Sequence, residues 1–347
     1  FLPTMITLRH TNVPSYKRRV KADLRPGRWL ATQMLGLAET FNMATPRHLL
    51  VDPEHAHCYH IVSRCVRRSW LCGLDRRTGR DYSHRKRWLL ERLRRLGSSF
   101  SVDVYAYTIM SNHFHLVVHY HPLAATEWTD DEVVDRWLRV CPVRSSDGMV
   151  DEEFQETVRA TILSDQGRIE SLRGKLCSLS VFMKLLKQPI ARRANLEDRC
   201  SGHFFEQRFY SCALLDERSV LAAMAYVDLN PIRARIAKSI ADSEHTSIHA
   251  RLQDPDYHAR LEDYLEPLIV GAKLEPPVKI TLSEYADCIE ALAFNRETRF
   301  GAAKLSRWRS RIATVQRKPR AIGAFEILKK WHVQRRWKTP RWLIAAE

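Results

Sequence analysis

The stretch Ser111–His121 (SNHFHLVVHYH) constrains the fold more than any other part of the chain. In a β-strand, successive side chains point to opposite faces, so an alternating pattern indicates a strand with two different sides. One face carries apolar side chains, at Phe114, Leu116, Val118 and Tyr120. The other face carries mainly imidazoles, at His113, His115, His119 and His121, together with Val117. The sequence therefore predicts a strand with one core face and one histidine face.

The first two of these histidines have a spacing that suits a metal site. Residues i and i+2 of a strand lie roughly 6.5–7 Å apart along it, so the imidazoles of His113 and His115 can tilt onto one divalent ion. A second interpretation stays open. The chain has 15 histidines, and other His-x-His triplets occur at 55–57 and 119–121. Such a pair can equally be hydrated or satisfied within a core.

The neighbouring segments predict an α+β fold. Two further stretches are rich in β-branched and aromatic residues and predict strands, at His57–Val66 and Val102–Met110. The turn residues Ser111 and Asn112 would join the second of them to the histidine strand as a hairpin. Apolar residues at helical spacing predict helices at Asp81–Leu96, Ser178–Asn195 and Asp216–Leu229. The second of these helices is expected to expose its cationic side chains, at Lys184, Lys187, Arg192 and Arg193.

Composition divides the chain into three predicted parts. Residues 1–45 are basic and interrupted by prolines, which predicts an N-terminal arm. Residues 46–252 form the predicted main domain, with an acidic helical insertion at 122–176. Residues 253–347 are predicted to be a helical, basic C-terminal domain.

The positive charge lies at the two ends of the chain. Residues 1–50 carry a net +6 and residues 301–347 a net +11, while the whole chain carries +16, so the middle is close to neutral. Cationic ends around a neutral centre suit a long polyanion, because phosphate contacts reward distributed Lys and Arg. Nucleic acid is therefore the predicted partner, with solubility alone as the alternative.

Two classes of protein are disfavoured by composition. No apolar run approaches the ~20 residues that span a bilayer, so we expect no membrane partner and a cytoplasmic location. The 8 cysteines are scattered and include no Cys-x-x-Cys pair. They are expected to be reduced thiols rather than a disulfide framework or a structural zinc site.

A second group of polar residues lies near the end of the predicted 216–229 helix. Tyr226 and Asn230 are four residues apart and so share a helix face, and Pro231 ends the helix close to Asn230. Against the histidine face, Asn230 would add one oxygen to two imidazole nitrogens, a shell that suits Mg²⁺ or Mn²⁺. In the alternative interpretation, Tyr226 is a buried aromatic residue and Asn230 a helix cap.

Four motifs occur in an order that resembles a known family. They are YHIVSR at 59–64, MSNHFHLVV at 110–118, HFFEQRFY at 203–210 and YVDLNPIRA at 226–234, and HTSIHAR at 245–251 follows them. Together they resemble the IS200-like single-tyrosine HUH transposases, most of all the REP-associated tyrosine transposases. The resemblance covers about residues 46–252 without the 122–176 insertion, and nothing is carried onto residues 253–347.

The resemblance implies a fold and a chemistry. The fold would be α+β, an HUH or ferredoxin-like antiparallel sheet of four or five strands backed by helices, here with a helical C-terminal extension. His113, His115 and Asn230 would bind Mg²⁺ or Mn²⁺. Tyr226 would be the nucleophile that cuts single-stranded DNA and retains a 5′-phosphotyrosine for strand transfer.

It also implies partners and rival functions. The DNA would carry a hairpin such as a REP-like palindrome, in a bacterial nucleoid, and the protein would act as a homodimer or a monomer. Candidate DNA contacts are Arg208, Lys184, Lys187, Arg192 and Arg193, with a solvated surface as the alternative. Two other functions stay open: a retired transposase that binds structured nucleic acid, and a metal phosphodiesterase that uses water instead of Tyr226.

Overall fold

One mixed β-sheet organises the described part of the chain. The computed structural model describes residues 46–66, 72–75, 78–206, 208–256, 258–294, 301–335 and 343–345, so the predicted arm at 1–45 lies outside it. Within these ranges the strands are β1 (His57–Arg64), β2 (Val102–Ile109), β3 (His113–Tyr120), β4 (Tyr210–Leu214), β5 (Ala321–Gly323) and β6 (Leu343–Ala345). Their order is β2-β3-β1-β4-β5-β6.

The sheet confirms the predicted α+β class and corrects its details. The first three strand pairings are antiparallel, including the predicted hairpin of β2 and β3. The pairs β4–β5 and β5–β6 are parallel, so the described sheet has six strands and is mixed, rather than antiparallel with four or five. The two additional strands have three residues each. Segments that short show no measurable alternation, and the sequence analysis therefore missed them.

Helices cover both faces of the sheet. They are α1 (Arg47–Leu50), α2 (His84–Gly97), α3 (Asp130–Val140), α4 (Glu152–Leu163), α5 (Gln166–Leu176), α6 (Leu179–Glu197), α7 (Glu217–Asp228), α8 (Asn230–Arg233), α9 (Ser247–Leu252), α10 (Leu282–Phe294), α11 (Gly301–Gln316) and α12 (Phe325–Gln334). The helices predicted at 81–96, 178–195 and 216–229 correspond to α2, α6 and α7. The predicted 122–176 insertion is helical, as α3, α4 and α5. No helix within the described ranges has both the length and the apolar character needed to cross a bilayer.

Two cores lie on opposite sides of the sheet. Phe114, Leu116 and Val118 pack toward α2 and α6, as the strand alternation predicts. On the other side, Val117 packs against α7, whose alanines bring the helix close to the strands. The histidine face is therefore buried as well, and His115 is 1% exposed.

Helix α6 contains Pro189, and Arg92 of α2 replaces the hydrogen bond that this proline cannot donate. Pro189 has no N–H, so the carbonyl of Leu185, four residues earlier, loses its helical donor. The Nε of Arg92, on α2, donates to that carbonyl at 3.2 Å. The predicted helix at 178–195 is therefore continuous through Pro189, and the same bond joins α2 to α6.

The C-terminal region packs on the central sheet. The predicted C-terminal domain supplies β5 and β6, and its residues before α10 form turns instead of helix. Two of these residues extend along the free edge of β2: Val104 N donates to Ile269 O at 2.8 Å, and Leu268 N donates to Val104 O at 2.9 Å. Coverage of this kind protects an open sheet edge from pairing with other chains.

A buried carboxylate fixes this loop on the sheet. Asp103 of β2 accepts hydrogen bonds from four successive backbone N–H groups at 2.7–3.1 Å, those of Gly271, Ala272, Lys273 and Leu274. A Cβ on Gly271 would lie 2.1 Å from the carbonyl oxygen of Gly97, so only glycine fits. The position of the loop at 271–274 on the sheet thus depends on the Asp103 carboxylate and on Gly271.

We predict that Asp103→Ala lowers the free energy of unfolding by about 3 kcal/mol or more, because charge-assisted hydrogen bonds are lost and buried N–H groups are left without acceptors. Asp103→Asn should lose less, since its one oxygen can keep the three bonds that Oδ1 accepts. Urea unfolding measures both. Asp147→Ala, at an exposed turn carboxylate, is the control and should stay within about 0.5 kcal/mol of the parent. Equal stability of Asp103→Ala and the parent would contradict this account.

Candidate functional site

Strands β1 and β3 and helices α7 and α8 bring the predicted chemical residues together. His113 and His115 lie on β3, and their ring centroids are 4.9 Å apart. Tyr226 on α7 has its ring centroid 5.5 Å from that of His115. Asn230, the first residue of α8, has its amide nitrogen 3.1 Å from His115 Nε2. Two pairs of residues that lie about 110 positions apart in sequence thus share one half-buried centre.

The helix that carries the tyrosine begins and ends within a residue of the predicted bounds, but Pro231 does not stop helical backbone at Asn230, because both residues belong to α8. The Asp216 side chain accepts from the backbone N–H of Ser219 and caps the start of α7. After Asp228 a single residue, Leu229, separates α7 from the short helix α8, in which Pro231 is the second residue. Because Leu229 keeps α-helical backbone angles, Asn230 stays one turn beyond Tyr226, on the same side.

A third histidine, which the sequence analysis did not assign, completes the centre. His60 on β1 lies edge to edge with His115, with ring centroids 5.1 Å apart and ring planes within 8° of each other. Its Nε2 lies 2.9 Å from His115 Nδ1. The ring of His115 therefore has a hydrogen-bonding neighbour at each nitrogen, His60 on one side and Asn230 on the other. Which nitrogen donates depends on the tautomers.

Burial keeps these imidazoles neutral. It lowers the pKa of His60 to about 3 and that of His113 to about 4, and it lowers the pKa of His115 well below its usual value. Positive charge on Arg64 and Lys318 contributes to the low pKa of His113. Neutral imidazole is the form that binds a metal ion, so protons do not compete for these nitrogens at pH 7.

One pair of side chains in the centre has the separation of adjacent ligands on a small divalent cation. Two ligands at adjacent positions of an octahedral ion, each about 2.1 Å from it, are about 3.0 Å apart. His115 Nε2 and the Asn230 amide are 3.1 Å apart. A half-turn of the amide places its oxygen in the position of its nitrogen. Within the described ranges, no cluster of three or more His, Cys, Asp or Glu side chains suits a metal, so an ion here would need this amide oxygen.

The geometry of His113 also suits a ligand. Its Nδ1 lies 2.6 Å from the side-chain oxygen of Asn112. An oxygen acceptor there holds the hydrogen on Nδ1 and leaves the Nε2 lone pair for another partner. His119, near the far end of β3, and His121, just after the strand, are not brought into the centre. The roles of His113, His115, Asn230 and Tyr226 stay predictions.

Burial and nearby positive charge act in opposite directions on the pKa of Tyr226. Burial raises the pKa of Tyr226, while Arg233, Arg64 and a hydrogen bond with Asn230 oppose that rise. The Arg233 guanidinium carbon is 5.6 Å from the centroid of the Tyr226 ring. The phenol is therefore protonated at rest, in surroundings that favour its anion when the proton leaves.

The five predicted DNA contacts lie elsewhere. Lys184, Arg192 and Arg193 are exposed on α6, as predicted, but α6 covers the sheet face opposite α7. Lys187 is half-buried rather than exposed, because its ammonium donates to the backbone oxygen of Glu206 at 2.8 Å. Arg208 is exposed just before β4. The structure therefore does not bring these five side chains to the tyrosine, and their contact with DNA stays a prediction.

Asp228 fixes the end of the helix that carries the tyrosine. It is buried and accepts hydrogen bonds from Tyr285 Oη at 2.6 Å, from Ile248 N at 2.9 Å and from the Ser247 hydroxyl. Burial raises the pKa of this carboxyl, and the donors and Arg251 oppose the rise. The motif YVDLNP suggested Tyr226 and Asn230. The role of the aspartate depends on α9 and α10, which the motif does not include.

No family model matches this chain. No curated protein matches it either. A solved structure of a REP-associated tyrosine transposase bound to a REP hairpin is similar over 58% of this chain and 81% of that chain, with 10% identity and a TM-score of 0.34.

We predict that Asp228→Ala lowers the free energy of unfolding by about 3–5 kcal/mol, because it removes one member of a buried charge network that includes Arg251. Tyr285→Phe removes one of the donors and should cost about 1–3 kcal/mol. Denaturant unfolding measures both variants. The exposed Asp242 offers a control, Asp242→Ala, that should leave stability unchanged. Equal losses for Asp228→Ala and Asp242→Ala would show that the network does not fix α7.

Proposed function

We propose that this protein is a metal-dependent single-tyrosine transposase that nicks hairpin-bearing single-stranded DNA. One observation carries the proposal: the Asn230 amide lies 3.1 Å from His115 Nε2, and the Tyr226 ring lies beside the same imidazole. A nucleophile candidate and a donor set for a small divalent cation thus occupy one half-buried centre. The motif order described above supports the same class of enzyme.

In the proposed reaction, Tyr226 Oη attacks the phosphorus of a scissile phosphodiester. A bond forms between the phenolic oxygen and phosphorus, and the bond from phosphorus to the 3′ oxygen breaks. The phenol gives up its proton and the leaving 3′ oxygen gains one. The products are a 5′-phosphotyrosine and a free 3′-hydroxyl, and a later 3′-hydroxyl can reverse the step and join strands.

Three side chains would hold the metal. His113 Nε2, His115 Nε2 and the Asn230 amide oxygen would bind Mg²⁺ or Mn²⁺. When bound, such an ion supplies Lewis acidity and charge neutralisation at the scissile phosphate. His60 would hold His115 in place, accepting a hydrogen bond from Nδ1 so that Nε2 faces the ion.

The cations around Tyr226 favour the negative charge that develops on its oxygen when the phenol loses its proton. A phenol has a pKa near 10, so it is a weak nucleophile at pH 7. The Arg233 guanidinium beside the Tyr226 ring and the charge of Arg64 favour the phenolate and can also contact phosphate oxygens. Lys318, from the loop before β5, adds positive potential at His60, His113 and His115.

We predict that Tyr226→Phe abolishes the covalent adduct, because the variant has no oxygen to bond to phosphorus. The substrate is a hairpin oligonucleotide with single-stranded flanks, labelled at its 3′ end and incubated with Mg²⁺ or Mn²⁺. A denaturing gel separates the protein–DNA adduct from free DNA. Binding of the same oligonucleotide should change less than about threefold, since the substitution removes a single hydroxyl.

The matched control is Tyr264→Phe, at a tyrosine that is 63% exposed. It should form adducts like the parent protein. Adducts that persist in Tyr226→Phe would overturn the nucleophile assignment. Cleavage without any adduct in the parent would favour a water-using phosphodiesterase, and binding without cleavage would favour a retired transposase.

We also predict that His60→Ala lowers Mn²⁺ affinity about 10–100-fold, the usual effect of removing the partner that orients a metal-binding histidine. Titration followed by the electron paramagnetic resonance of free Mn²⁺ measures it without DNA. His60→Gln should recover part of the affinity, because its amide can reach His115. His119→Ala removes another largely buried histidine of the same sheet face and should leave Mn²⁺ affinity within about twofold. Equal affinity in His60→Ala and the parent would refute the positioning role.

A further inference from the structure

We propose that Lys318 binds the phosphate at the candidate centre and that its charge couples metal binding to DNA binding. Lys318 belongs to the C-terminal region, to which the motif resemblance assigns nothing. The inference rests on the proposed function for the identity of the metal and of the DNA, but the binding itself needs no cleavage.

Helix α11 brings Lys318 to the side of the sheet on which Tyr226 lies. Val315, in the last turn of α11, belongs to the core that contains α7. Gln316, the last residue of the helix, accepts a hydrogen bond from Arg233 Nη2 at 2.9 Å. Arg233 is also the cation beside the Tyr226 ring. Lys318 therefore follows, by two residues, a side chain that is bonded to a neighbour of the tyrosine.

The residue after Lys318 is fixed beside the histidines. Pro319 O accepts a hydrogen bond from the Tyr210 hydroxyl. Tyr210 on β4 lies in the same row of the sheet as His115 on β3, since both are paired with one residue of β1. The ring centroid of Tyr210 is 6.1 Å from that of His60. Lys318 thus lies at the level of the sheet where the imidazoles lie, between contacts to the tyrosine side and to the histidine side.

The backbone of Lys318 has a conformation that usually selects glycine. Its φ is 56°, in the left-handed region. Many helices end on such a residue, and glycine is the usual one because a Cβ there has a steric cost. The next residue, Pro319, restricts the conformation of Lys318 further. A side chain at this position lowers stability, so the helix end alone does not account for a lysine, and a function of its ammonium does.

The charge of Lys318 acts on the centre. It contributes to the low pKa of His60, His113 and His115. Lys318 is half-buried, and salt screens a half-buried charge less than a fully exposed one. A positive charge repels a second cation and attracts an anion. The same ammonium therefore weakens metal binding in the free protein and strengthens phosphate binding. Once phosphate neutralises it, the metal ion binds more tightly, and the coupling is reciprocal.

The first test measures Mn²⁺ affinity without DNA, from the electron paramagnetic resonance of free Mn²⁺. Lys318→Asn removes the charge and keeps a residue type that tolerates the left-handed conformation. It should bind Mn²⁺ about threefold more tightly than the parent, the order expected for one unit charge several ångströms from a divalent ion under partial screening. The matched control is Lys273→Asn, at an exposed lysine with φ 57° in the loop that bonds to Asp103. It should leave Mn²⁺ affinity unchanged.

The second test repeats the titration with a hairpin oligonucleotide carrying single-stranded flanks, in Tyr226→Phe protein so that no cleavage interferes. The DNA should raise Mn²⁺ affinity about tenfold or more, within the usual range of coupling between two sites. Adding Lys318→Asn should reduce this gain about threefold, because the repulsion that phosphate relieves is then absent. Affinity for the DNA should fall as well, and Lys318→Arg should restore both the DNA affinity and the coupling.

The third test measures the rate of adduct formation at saturating Mn²⁺ in protein that retains Tyr226. Lys318→Asn should lower this rate about tenfold or more, because a donor to the charged phosphate is lost. Lys318→Arg should keep most of the rate, since a guanidinium also binds phosphate. Tighter metal binding together with slower reaction distinguishes this role from a structural one, in which both would be impaired.

The outcomes separate this inference from the proposed function. If Lys318→Asn binds Mn²⁺ no more tightly than the parent, or if it keeps the full effect of DNA, the inference is overturned. If the parent forms adducts and Lys318→Asn forms them at the same rate, the inference falls and the proposed function stands. If both binding tests give the expected results but the parent never forms an adduct, Lys318 binds phosphate as proposed and the proposed enzymatic function falls.

Discussion

The contact between the Asn230 amide and His115 joins the two layers on which the candidate site depends. His115 belongs to a central strand and Asn230 to the helix pair that crosses it, so their 3.1 Å separation requires that helix and sheet approach closely. Alanines of α7 allow that approach. Asp228 fixes the end of α7 to α9 and α10. The geometry of the centre is thus held by packing at a distance from it.

Burial determines the electrostatics of the same centre. The three imidazoles are desolvated and neutral, the form in which an imidazole can accept a hydrogen bond or bind a metal ion, while the nearby positive charges lie on Arg64, Arg233 and Lys318. An anion such as phosphate is therefore the ligand that this potential favours. Lys318 belongs to the C-terminal region, for which the motifs gave no role. The central motifs and the C-terminal loop therefore act together at the site.

Much of this arrangement follows from short-range sequence patterns. Alternation assigned His113 and His115 to one face of a strand, and a four-residue spacing placed Tyr226 and Asn230 on one side of a helix. Both patterns are local in sequence and depend on no long-range contact. His60 was missed because its place beside His115 depends on the register of β1 with β3, which no local pattern encodes. The four N–H groups that bond to Asp103 lie about 170 residues away in sequence, so no local pattern predicts that contact either.

The two sides of the sheet carry different surfaces. The α7 side holds the Tyr226 phenol beside His115 and Asn230. The α6 side holds a groove lined by four basic side chains, those of Arg47, Lys184, Lys187 and Arg208. Because Arg64 is paired with His113 and its carbonyl accepts from Glu206 N, a continuous backbone path links the two sides.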